Sequence, residues 1–284
     1  PDSLKVLKMI LYADDVTMFL KDKQDFEKAI ALVSEFTTFS GLKLNRNKSE
    51  AMWLGSNKDS NEQLCGIRCN NRCKILGIYF SNQKPASSME ENWTGRIKNI
   101  KLLIAQWRKR HLSLRGKVCV IKTFMLSQMV YVMQAISVPS LVLDEINTLL
   151  FRYLWKHKNH NKKAFEKVKR SVMCSDYSEG GIKMINIKDM QLSMLCEWAA
   201  KLRSGTSSRW SVLAREAFRH YGPDLVCFES NVNVKAYKGF DLTKSLFWKD
   251  VLKAWLDTGQ NQTGDFFSTV LWNNTHVTYK SSTL

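Results

Sequence analysis

Val6-Leu7-Lys8-Met9-Ile10-Leu11-Tyr12-Ala13-Asp14-Asp15-Val16-Thr17-Met18-Phe19-Leu20 sets two apolar runs on either side of adjacent carboxylates. Runs of this length and composition predict two short strands folded back at the acids. An unpaired carboxylate loses its hydration when it is drawn into apolar surroundings. Two side by side also repel each other. A divalent cation relieves both costs, and Mg²⁺ is commonly held by one or two carboxylates together with substrate phosphates. Two such ions can clamp the attacking and leaving oxygens of a phosphoryl transfer. A surface β-turn accounts for the acids equally well, because Asp favours turns by bonding its own backbone. On this stretch alone both readings stay open.

Working outward, a helical stripe follows at Phe26, Ala29, Ile30, Val33 and Phe36, with Asp22 placed to cap it and Gly41 to end it. Leu42-Lys43-Leu44 alternates, Glu50–Leu54 reads as a strand, and residues 56–63 read as a polar loop. Cys73–Phe80 reads as a further strand, and residues 81–88 as a hinge. From there the period turns helical. Trp93, Ile97, Ile100, Ile104 and Trp107 make one face. Val118, Ile121, Met125, Met129 and Val132 make a second, capped near Ser113, and Ile146, Leu149, Leu150, Tyr153 and Leu154 a third. Glu179-Gly180-Gly181-Ile182 reads as a turn before a helix through Leu192, Leu195, Trp198, Ala199 and Leu202.

The 284 residues hold 43 Lys and Arg against 26 Asp and Glu, a formal net charge of +17. Residues 91–175 concentrate it, with 17 basic residues against four acids, interleaved with Trp93, Trp107, Tyr131, Tyr153 and Trp155. Such a one-sided basic stretch with aromatics points to a polyanionic partner, and nucleic-acid backbone contact is favoured over a merely solvated face. No apolar run approaches the length needed to span a bilayer, so no membrane partner is expected. Seven cysteines without a secretory signal point to a reducing, intracellular compartment. Cys65, Cys69 and Cys73 lie four apart but have no fourth zinc ligand nearby. The Asn92-Trp93-Thr94 sequon carries little meaning in such a compartment.

The order of these pieces resembles the reverse transcriptases of LINE-type (non-LTR) retrotransposons. Tyr12-Ala13-Asp14-Asp15 is similar to that family's catalytic tetrapeptide, an aromatic residue, any residue and two aspartates. Gly41-Leu42-Lys43-Leu44-Asn45-Arg46-Asn47-Lys48 resembles the pattern that closes its next helix, and Leu76-Gly77-Ile78 its primer-grip hairpin. Basic helices like those carrying Arg115-Gly116-Lys117 follow as its thumb. The resemblance is sharp over residues 4–80, good to about 202 and faint beyond.

It implies an α+β chain: the C-terminal half of a right-hand polymerase palm over 1–83, a basic helical thumb over 84–175 and a C-terminal helical extension over 176–284. It also implies Asp14 and Asp15 as catalytic and metal-binding residues, with Mg²⁺ (or Mn²⁺ in its place) as cofactor. Tyr12 would lie under the primer terminus and Lys48 near the triphosphate, although an ordinary strand aromatic and a solvated lysine account for them too. Leu76 and Gly77 would approach the primer, while Arg96, Arg115, Lys117 and Lys122 would contact phosphates. Its partners would be an RNA template and a DNA primer, or their duplex, in cytoplasm and nucleus. The family's fingers and first catalytic aspartate lie on earlier segments, and none is found in this sequence. The chain by itself is therefore expected to be inactive as an RNA-directed DNA polymerase. A non-catalytic nucleic-acid-binding remnant is the competing expectation, and a plain helical scaffold the weakest one.

Overall fold

A computed structural model describes residues 9–60, 64–83, 85–155, 166–205, 208–219, 228, 246–258, 278–279 and 282–283. It divides into two units, Pro1–Gly95 and Arg96–Leu284. The first mixes small sheets with helix and the second is chiefly helical, so the chain is of mixed α and β content.

In the first unit β1 (Met9–Tyr12) and β2 (Asp15–Met18) form an antiparallel ribbon in which Tyr12 pairs Asp15 and Ile10 pairs Thr17. Among the described residues the ribbon is a sheet of two strands. Its apolar residues are exposed, Leu11 at 61% and Tyr12 at 66%. Helix α1 (Lys23–Ser40) starts where Asp22 accepts a hydrogen bond from the Asp25 amide at 2.9 Å, and ends at Gly41, whose φ of 72° is left-handed. Its stripe is only half-buried, and Leu32, Phe36 and Phe39 form a second stripe in the open, Phe39 at 84%. The expected stripe therefore exists, but Phe36 lies outside it.

The strand expected over Glu50–Leu54 shrinks to β3 (Glu50–Ala51), paired parallel with β4 (Arg68–Cys69). No strand forms over 42–44. The single strand expected over 73–80 is instead a hairpin, β5 (Arg72–Ile75) and β6 (Ile78–Ser81), with Ile75 opposite Ile78. Leu76 and Gly77 turn it with φ of 47° and 80°. Two left-handed residues are the type I′ signature, whose twist matches that of the flanking strands. The expected hinge is the start of α2 (Pro85–Arg108), since proline at a first helical position lacks only an amide with no helical partner.

In the second unit, α3 (Leu114–Val120), a π-helical turn (Ile121–Leu126) and α4 (Ser127–Met133) run as one helix. Ser113 caps it by accepting from the Gly116 amide at 3.1 Å. By length and a mean hydropathy of 1.2 this helix could cross a membrane, but half of it is buried inside the fold. Ile121, Met125, Met129, Val132 and Met133 are completely enclosed, which is the pattern of a core helix. Helix α5 (Ser140–Leu154) buries the predicted Ile146, Leu149, Leu150, Tyr153 and Leu154. After α6 (Arg170–Cys174), helices α7 (Ile187–Arg203), α8 (Arg209–Phe218) and α9 (Leu246–Asp257) share an aromatic core. There Trp198 meets Trp210 edge-on at 4.8 Å and Trp210 stacks on Trp248 at 6.1 Å. A last ribbon joins β7 (Thr278–Tyr279) to β8 (Ser282–Thr283). The basic run at 156–165 lies outside the described residues.

Candidate functional site

The acids lie where the sequence pattern places them. Ala13 and Asp14 are the two central residues of the turn, and Asp15 opens β2. Ala13 takes a φ of 51° and Asp14 does not share it, which is the mark of a type II′ turn. Position one of such a turn favours glycine, and a Cβ there costs roughly 1–2 kcal/mol. Directly paired residues of an antiparallel ribbon share a face. Asp15 therefore shares its face with Tyr12, Ile10 and Thr17, while Asp14 projects from the bend. Both carboxylates are exposed. Their oxygens are the hard donors that Mg²⁺ takes, so the pair fits the ion in kind. Among the described residues no three His, Cys, Asp or Glu side chains gather into a metal cluster.

Lys48 is exposed at the end of a turn over 45–49, where its amide donates to the Asn45 carbonyl at 3.1 Å. Leu76 and Gly77 are half-buried at the tip of the β5–β6 hairpin. The glycine's freedom is spent on the turn itself, since φ of 80° is strained for any residue with a Cβ. Pattern reasoning missed what holds this hairpin. Asn92, fully enclosed on α2, accepts from the Tyr79 amide at 2.9 Å and donates to the Tyr79 carbonyl at 2.8 Å. One side-chain amide thus replaces a neighbouring strand along β6. Glu91, next to it, forms an ion pair with Arg72 on β5. An enclosed amide bonded at both ends is no glycan acceptor, so the sequon at Asn92 carries no glycan. An amide beside Trp93 on an otherwise apolar helix face was the available signal.

The four basic thumb candidates differ in setting. Arg96 is half-buried on α2. Arg115 is exposed and lies 4.7 Å over the Tyr177 ring, whose ring also has the Lys183 ammonium within 5.2 Å. Lys122 is exposed in the π-helical turn. Lys117 is the exception to the expected phosphate-contacting set. Its ammonium is buried and donates to the Leu154 carbonyl at 2.6 Å, at the end of α5. Helix C-terminal carbonyls lack helical partners and carry partial negative charge, so this cation completes the fold.

Two aromatic contacts were also absent from the pattern reading. Trp107 of α2 lies 5.2 Å from Phe124 of the π-helical turn, with rings inclined at 33°, and the Arg110 guanidinium lies 5.6 Å from the Trp107 ring. Trp107 and Phe124 are 17 residues apart in sequence, and only the helix packing joins them.

Residues 2–80 match the family described as reverse transcriptase (RNA-dependent DNA polymerase). Over 266 residues, 90% of its length, the chain is 24% identical to the transposon TX1 uncharacterized 149 kDa protein of Xenopus laevis, of which this covers 19%. Over 126 residues, 44% of its length, it is 25% identical to a putative ribonuclease H protein of Arabidopsis thaliana, of which this covers 20%. The chain spans about a fifth of the length of these curated relatives. The resemblance to retrotransposon reverse transcriptases is thus carried by a family match at the carboxylate hairpin and by a transposon relative along nearly the whole chain.

Proposed function

We propose that this chain is part of an RNA-directed DNA polymerase of a retrotransposon, supplying the C-terminal half of the palm over 1–83, a basic helical thumb over 84–175 and a C-terminal helical extension over 176–284. The observation that carries this reading is the carboxylate pair at the tip of the β1–β2 ribbon, inside the segment that matches the reverse transcriptase family. Asp14 and Asp15 would hold Mg²⁺, which supplies charge neutralisation at a transferring phosphoryl group. Tyr12, on the face of Asp15, supports the primer terminus, and Lys48 offers a cation to the triphosphate. The turn at Leu76 and Gly77 presents backbone to the primer. Arg96, Arg115 and Lys122 hold phosphates of an RNA template and DNA primer, which positions the duplex without reading its sequence. Lys117 acts through the fold.

Two carboxylates are fewer than a two-metal site uses, and among the described residues the ribbon has no third strand paired to it and its apolar side chains stand in the open. Further palm strands, with a third carboxylate and the fingers, would cover that surface, as unpaired ribbon edges invite. By itself the 284-residue chain binds primer–template but does not extend it. The discriminating experiment titrates Mn²⁺ into the chain and its Asp14→Asn variant, followed by primer extension. Weak Mn²⁺ binding lost in the variant is expected. Identical Mn²⁺ binding by both proteins would remove the metal role, and robust extension by the chain would refute its inactivity as tested. A non-catalytic nucleic-acid-binding module is the second reading, favoured by the concentration of cations over residues 91–175. It predicts salt-dependent binding with no metal effect at Asp14.

A further inference from the structure

Residues 92–143 contain nine Lys and Arg and not one Asp or Glu. Within this stretch the fold gathers three flat groups around Trp107. The Arg110 guanidinium lies 5.6 Å from the Trp107 ring, and Trp107 lies 5.2 Å from Phe124 with the rings inclined at 33°. The cluster reaches the surface: Arg110 is exposed, Trp107 half-buried and Phe124 44% exposed. Part of an aromatic ring is thus left in water within a stretch that carries cations and no acid. Its surroundings suit a partner that is anionic and presents flat apolar faces.

We propose that Phe124, backed by Trp107 and Arg110, is a stacking platform for an unpaired nucleobase, and that the basic helices of the second unit therefore hold single-stranded nucleic acid as well as duplex. A base has two π-faces and can lie on the open part of the Phe124 ring, while its phosphates meet exposed cations of the same stretch, Arg110 among them. A paired base inside a duplex has both faces covered and cannot. The inference rests on the nucleic-acid reading above and sharpens it, because phosphate contacts alone do not distinguish a strand with bases from one without.

The test measures, at one fixed salt concentration, binding of the full chain to a short thymidine oligomer, to an oligomer of equal length made of abasic sites, and to a blunt duplex. The thymidine oligomer should bind about tenfold more tightly than the abasic one, the range that stacking of one or two bases supplies. Phe124→Ala should erase that difference and leave the abasic and duplex affinities unchanged, while Phe124→Tyr keeps it. Because Phe124 is exposed rather than part of the buried core, the variant should fold, and the oligomer comparison uses the unmodified chain in any case. Equal affinity of the unmodified chain for the two single strands would overturn the stacking platform while leaving phosphate binding intact. So would a Phe124→Ala loss shared by all three ligands. Absence of binding to all three would overturn the nucleic-acid reading itself.

Discussion

Lys117 and Lys122 lie five residues apart on one continuous helix, and their charges do opposite things. The first is buried with its ammonium 2.6 Å from the Leu154 carbonyl, and the second is exposed. Lys117→Met should therefore cost about 1.5–3 kcal/mol in urea unfolding, the worth of a hydrogen bond to a charged group, and leave the salt dependence of nucleic-acid binding alone. Lys122→Met should leave stability within about 0.5 kcal/mol and reduce the slope of log K against log salt by about one. A reversed pattern would mean that the helix faces are misassigned. Asn92 gives a second contrast. Asn92→Asp keeps the shape but removes the amide donor to the Tyr79 carbonyl, and it adds a charge in a fully enclosed position. Protection of the Tyr79 amide from hydrogen exchange should fall by an order of magnitude or more, because an unmet buried group costs about 1–3 kcal/mol. Unchanged protection would show that the hairpin is held by other contacts.

At the scale of the element, the loop from Met173 to Met184 shows how a glycine and a carboxylate set a local structure. The Ile182 and Met184 amides both donate to the Met173 carbonyl, at 3.2 and 2.9 Å, so the chain closes on itself around Gly181. A Cβ on Gly181 would come within 2.0 Å of the Ser175 carbonyl oxygen, a backbone atom that cannot swing aside. Gly181→Ala should destabilise the second unit by about 2–4 kcal/mol, read as an earlier urea midpoint with unchanged slope. In the same loop the hydrogen bond from Lys183 holds the Asp176 carboxyl below the usual carboxylate range. A depressed folded-state value stabilises the fold above the ordinary carboxylate range and is lost as pH falls through the depressed value. The Lys183 contact should accordingly persist on acidification until after typical surface acids have protonated, as a carboxyl carbon NMR titration of Asp176 would report. Elements such as the α1 caps at Asp22 and Gly41 and the Ser113 cap are legible in sequence because capping is decided by three or four neighbouring residues. The β5–β6 turn is not, because a leucine at φ 47° carries no turn signal and Cys73–Phe80 reads as one unbroken apolar strand. Pro85 misleads in the other direction, since proline marks a hinge and a helix start equally well. The Asp14–Asp15 bend is legible for a local reason, acids between two apolar runs. The Trp107–Phe124 contact and the Asn92 clamp depend on packing between elements that no local pattern encodes.

For the molecule as a whole, charge and carboxylates are divided between the two units. Residues 1–95 carry 13 Lys and Arg against 12 Asp and Glu, and residues 96–284 carry 30 against 14. Nearly all the net positive charge therefore belongs to the helical unit, while the paired acids belong to the other. An electrostatic field of this kind draws in a polyanion from a distance without specifying its sequence, and it weakens with salt. If about six phosphates are neutralised, log K for a primer–template duplex should fall with a slope near −5 against log salt. The division makes the two capacities separable by mutation. Asp14→Asn should abolish Mn²⁺ binding and leave that slope unchanged, because it alters a nearly neutral unit. Arg115→Met combined with Lys122→Met should lower the slope by about two and leave Mn²⁺ affinity where it was. The paired measurement is stricter than either alone, since a general loss of folding would move both quantities together. A slope that shifts with Asp14→Asn, or a Mn²⁺ affinity that shifts with the double variant, would mean that metal and nucleic acid are bound by one coupled surface rather than by two separately built ones.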